Sequence, residues 1–96
     1  CHGLSDSKVT LTATILRALM PRISMVFVYI DNHALMGIAI PALAGEMTIA
    51  HQGVSYVLAE PTGPALYKLG ELAPESELAI NQGRYVAEAF NVSANN

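Results

Sequence analysis

Charge is scarce in this chain: Asp, Glu, Lys and Arg together make up 14% of its 96 residues, and the formal net charge is −3. The five basic residues are scattered, with no cluster and no aromatic-interleaved basic stripe, which argues against a nucleic-acid partner. Long apolar runs are also missing. Met25 to Ile30 and Ala34 to Gly45, the second broken by Pro41, both fall short of the ~18 residues that a membrane-spanning helix needs. There is one cysteine, so no internal disulfide can form and the thiol is free, reactive or paired with another molecule. Internal repeats and low-complexity linkers are absent.

What the chain has instead is apolar surface. At 52% hydrophobic residues it lies far from the composition of a disordered chain, and its length suits one small domain. We read residues 1–90 as that single domain, or as the C-terminal part of a larger one, and 91–96 as a polar tail. A core this small leaves apolar surface that a second copy or further chain would cover, so a homo-oligomer is compatible with the composition.

Between Ser5 and Met20, Val9, Ala13, Leu16 and Met20 recur at helical spacing, with Leu11, Ile15 and Leu19 beside them and Ser5 or Asp6 as an N-cap. Pro21 stops this helix. Ile23 to Ile30 is rich in β-branched and aromatic residues and ends at the turn pair Asp31-Asn32, as a buried strand would. His33 to Ile40 alternates as a second strand, with His33, Leu35, Gly37 and Ala39 on one face. Met47 to His51 and Val54 to Leu58 flank Gln52-Gly53 as a hairpin. A Pro/Gly loop follows at Pro61-Thr62-Gly63-Pro64, then a short segment from Leu66 to Leu72. Pro74-Glu75-Ser76-Glu77 reads as the opening of a single helical turn, and Tyr85 to Phe90 as a last strand. The fold class is α+β, an N-terminal helix on an antiparallel sheet.

Three residues in this framework can carry chemistry. Cys1 precedes the helix, where unsatisfied backbone N–H groups and the positive dipole end favour a thiolate. His33 opens a strand and Glu60 follows the end of a later one. If those strands are antiparallel neighbours, the start of one lies beside the end of the other, and a thiol, imidazole and carboxylate chain becomes reachable.

The same pieces resemble the transglutaminase-like (papain-like) superfamily of cysteine proteases and acyltransferases, from Cys1 to about Leu72. There a Cys precedes a helix ending in a Leu-Leu-Arg-Ala-Leu type run, here Ile15-Leu16-Arg17-Ala18-Leu19. A His then opens a strand, here His33-Ala34-Leu35-Met36-Gly37-Ile38. A Tyr-Val-x-x-Asp-Pro-Thr type segment comes last, here Tyr56-Val57-Leu58-Ala59-Glu60-Pro61-Thr62, followed by a Leu-Gly pair like Leu69-Gly70.

The resemblance implies a transglutaminase-like core in which Cys1 attacks an amide, His33 shuttles the proton and Glu60, standing where many members have Asp, orients His33. Peptide or isopeptide hydrolysis is the commoner bacterial outcome, so the implied partner is a peptide or protein substrate. Counting back from Arg17, the usual nucleophile position falls nearer Ser5, in Ser5-Asp6-Ser7-Lys8, than Cys1. Either His2-Gly3-Leu4 and their neighbours form an inserted turn that carries Cys1 into place, or this copy has lost its thiol and serves as an inactive scaffold or interaction module of a larger bacterial protein.

The remaining signals are weaker. His2 and His51 with Cys1 lack a zinc-ligand spacing, so neither a metal nor any other cofactor is expected. Tyr56 shares a face with Val54, Leu58 and Glu60, and core packing is its expected role. Asn91-Val92-Ser93 fits a short glycosylation sequon. A bacterial envelope or cytoplasmic location both stay open.

Overall fold

The computed structural model describes residues 2–31, 33–60 and 69–90, with the backbone alone for residues 2–7. Cys1, the Pro61 to Pro64 loop, the first part of the 66–72 segment and the 91–96 tail lie outside the described residues.

The chain runs α1 (His2–Leu19), β1 (Met25–Ile30), β2 (His33–Ile38), β3 (Thr48–His51), β4 (Val54–Ala59), α2 (Pro74–Asn81) and β5 (Val86–Ala89). The strands form one sheet in the order β3-β4-β2-β1-β5, and every neighbouring pair is antiparallel. This is the expected α+β arrangement of an N-terminal helix on an antiparallel sheet, with a second helix added.

Strand parity separates two cores. Val9 and Ala13 of α1 pack with Met25, Ala34, Met36, Ile38 and Phe90 on one face of the sheet. Val26, Val28, Leu35, Tyr56 and Leu58 look the other way and are covered by Leu72 together with Ala79 and Ile80 of α2. Tyr56 is a core residue, as its alternation implied. The stripe read along α1 is confirmed at Val9 and Ala13 and in part at Leu16, whereas Met20, which falls beyond the helix end, and the flanking Leu11, Ile15 and Leu19 stand exposed.

Helix α1 begins earlier than expected, at His2, so Ser5 and Asp6 occupy its first turns instead of capping it. At the other end Pro21 enforces the stop. Arg17, in the last turn, donates from Nη1 to the carbonyls of Pro21 (2.8 Å) and Ile23 (2.6 Å), tying the helix end to the approach to β1.

Two glycines are required by close approach. A Cβ on Gly37 would stand 2.8 Å from Val26 Cγ2 and 2.9 Å from Tyr56 Cβ, so the Tyr56 side chain can cross β2 only over a glycine. Gly70 has φ +86°, and a Cβ there would meet the Glu46 side chain at 2.5 Å. Its N–H donates to the Leu58 carbonyl (2.7 Å) and its carbonyl accepts from Met47 N–H (2.9 Å), which returns the chain to the end of β4 just before α2 begins.

Helix α2 is longer than one turn. Pro74 sits at its start, Glu75 and Glu77 complement the dipole, and Ser76, Ala79 and Ile80 form its buried stripe.

Candidate active site

The tight turn of the β1–β2 hairpin puts His33 at the first position of β2, directly paired with Ile30. Asp31 takes the turn with φ 25°, and Arg84 Nη1 donates to both of its carboxylate oxygens, at 2.9 and 2.8 Å. The β2–β4 register pairs Met36 with Ala59. Carried one step further it sets Glu60 beside Leu35, so His33 and Glu60 are diagonal neighbours on one face, within reach of long side chains.

That face is the one covered by α2. Glu60 is buried, its side chain 4% exposed, yet it is fully engaged. Oε1 accepts from Ala73 N–H at 2.8 Å, and Oε2 accepts from the Ser76 hydroxyl at 3.1 Å and faces His33 Nε2 at 3.1 Å. Ser76 Oγ is in turn 3.0 Å from His33 Nε2. A carboxylate only accepts, so the ring nitrogen beside it carries the proton. Among the described residues both hydrogen bonds of the ring run through Nε2, which leaves the Nδ1 lone pair to take a proton. With 24% of its side chain exposed, His33 is open to an approaching group.

Helix α1 lies on the opposite face but points to the same end of the sheet. Its Val9 and Thr10 share an open cleft of about 140 Å³ with Phe27, Tyr29 and Ala34, the residue next to His33. Its Arg17 meets Ile23 and Phe90 at the far end. The helix N-terminus is therefore directed towards the hairpin that carries His33.

Of the residues expected from the sequence, His33 and Glu60 are brought together. Cys1 lies outside the described residues, as does the side chain of Ser5. His51 sits on β3, separated from His33 by β4, with its ring 6.5 Å from that of Tyr56. Among the described residues no group of three or more His, Cys, Asp or Glu is arranged to hold a metal ion. Two members of the site were not foreseen, Ser76 and the backbone of Ala73. The available signal was Pro74 followed by Glu75 and Glu77, which marks a helix start and so a source of free N–H groups beside a carboxylate. No protein-family model matches the chain, and neither does any curated protein or solved structure.

Proposed function

We propose that the chain is the core of a transglutaminase-like cysteine enzyme, which cleaves or transfers the acyl group of a peptide amide through Cys1, His33 and Glu60. The observation that carries this reading is the 3.1 Å hydrogen bond between His33 and a buried Glu60 held by two further donors. Such a carboxylate fixes the tautomer and orientation of an imidazole that must take and return a proton. The direction of α1 supports it too, because its N-terminus is directed towards the hairpin that carries His33, and the positive end of a helix dipole favours a thiolate.

In the proposed cycle the thiol proton passes to His33 Nδ1 as sulfur attacks the amide carbonyl. The imidazolium then protonates the leaving amine as the C–N bond breaks, giving a thioester. Water or a second amine attacks the thioester, losing its proton to Nδ1, and the thiol regains a proton as it leaves. The test is labelling with an electrophilic peptidyl vinyl sulfone followed by mass spectrometry. The reading requires an adduct on Cys1 that is lost in His33→Ala; labelling that ignores His33 rules it out.

A second reading, an inactive transglutaminase-like scaffold or interaction module of a larger bacterial protein, is favoured by the length of α1. The helix runs without interruption from His2 to Leu19, so His2-Gly3-Leu4 and their neighbours belong to it and do not form the inserted turn that would carry Cys1 into place. On this reading the nucleophile position is Ser5, the thiol is lost, and the vinyl sulfone finds no His33-dependent target.

A further inference from the structure

Ser76 is fully buried, at 0% exposure, and its hydroxyl is shared between two members of the candidate site. It donates to Glu60 Oε2 at 3.1 Å and stands 3.0 Å from His33 Nε2. A buried hydroxyl in the first turn of a helix would ordinarily turn back to its own backbone. Here it reaches across to the sheet. Full burial excludes it as a nucleophile, because no substrate carbonyl can meet its oxygen.

We propose that Ser76 is a positioning residue for His33, an inference that rests on the reading of His33 as the general base. The hydroxyl proton is committed to Glu60, so the oxygen meets the ring with its lone pairs and accepts from Nε2–H. The ring proton is then divided between Glu60 Oε2 and Ser76 Oγ, two acceptors 3.1 Å apart. One acceptor lets an imidazole rock about the hydrogen bond. Two acceptors, each anchored elsewhere, fix the ring plane and with it the direction of Nδ1. Glu60 is anchored from α2 as well, through Ala73 N–H at 2.8 Å. The first turn of α2 thus holds both the acid and the ring, and the pose of the base depends on how that helix docks.

The test is nuclear magnetic resonance of the His33 ring in the full ¹⁵N-labelled chain. In the wild type the ring proton resides on Nε2 and exchanges slowly with water. Removing one hydrogen bond in Ser76→Ala speeds that exchange roughly fivefold to tenfold, the equivalent of about 1 kcal/mol. Ser76→Thr, which keeps the hydroxyl, restores it to within about twofold. A role in packing alone would leave the exchange of Nε2–H unchanged in Ser76→Ala, and that result overturns the proposal. If Ser76→Ala does not fold, Ser76→Cys, which nearly keeps the volume but supplies a poorer acceptor, decides instead: faster Nε2–H exchange than in the wild type upholds the proposal and unchanged exchange overturns it. Cys1 alkylation in the same samples reports on the enzyme reading separately, since the ring can be positioned by Ser76 whether or not a thiol reaches it.

Discussion

Glu60 lies diagonally across the β2–β4 pair from His33, with its Oε2 oxygen 3.1 Å from the ring Nε2. Neither residue is internal to its strand, since His33 opens β2 and Glu60 follows the last residue of β4. Antiparallel pairing brings such ends together, and a register slip of one residue would send Glu60 to the α1 face. The contact is therefore sensitive to the register of the whole sheet.

Glu60 is the hub of the cluster and His33 its outer member, so their removal should differ in cost. Glu60→Ala strands the Ala73 N–H and the Ser76 hydroxyl and should cost about 2–4 kcal/mol, whereas His33→Ala, at the more exposed end of the cluster, should cost about 1 kcal/mol. For a domain of this size each kcal/mol lowers the melting temperature by about 4–8 °C. Calorimetry should rank the variants in that order, and an equal or reversed ranking would mean that Glu60 is not the anchor.

Gly37→Ala should destabilise by about 1–3 kcal/mol, the usual range for forcing a methyl into a packed site. Its Cβ would meet Val26 and Tyr56 at under 3 Å, and both belong to the α2-side core. Chemical denaturation gives the value. An unchanged midpoint would show that the Tyr56 side chain can move aside freely.

The bond between Arg84 and Asp31 should matter little to stability despite its 2.8 and 2.9 Å contacts, because both side chains are about half exposed. Arg84→Ala should cost no more than about 1 kcal/mol, and less as salt is raised. Thermal melts at low and high ionic strength check both points.

The hairpins could be read from the sequence because their turns carry the residues that such backbones demand. Gln52 and Gly53 both adopt positive φ, 52° and 81°, as a two-residue turn between twisted strands requires. The nearness of His33 and Glu60 was legible only on the condition that their strands be antiparallel neighbours, which the β2–β4 pairing meets. Helix α2 was harder to read because its buried stripe includes Ser76 where the periodicity rule looks for an apolar residue. The serine is buried because Glu60 and His33 receive its hydroxyl, a condition set by residues distant in sequence. Likewise, hydrophobicity could not show that Leu11, Ile15 and Leu19 would face outwards, since they form an apolar row as regular as that of Val9, Ala13 and Leu16 beside it.

The central claim is that His33, oriented by Glu60, activates a thiol ahead of α1. It is tested most directly by the rate of Cys1 alkylation with iodoacetamide at neutral pH, in the wild type, in His33→Ala and in Glu60→Gln. Thiolate population governs that rate. The account predicts that Cys1 reacts faster than a cysteine in a short unstructured peptide, that His33→Ala removes the advantage and that Glu60→Gln reduces it. Identical rates in all three proteins and in the peptide would contradict it.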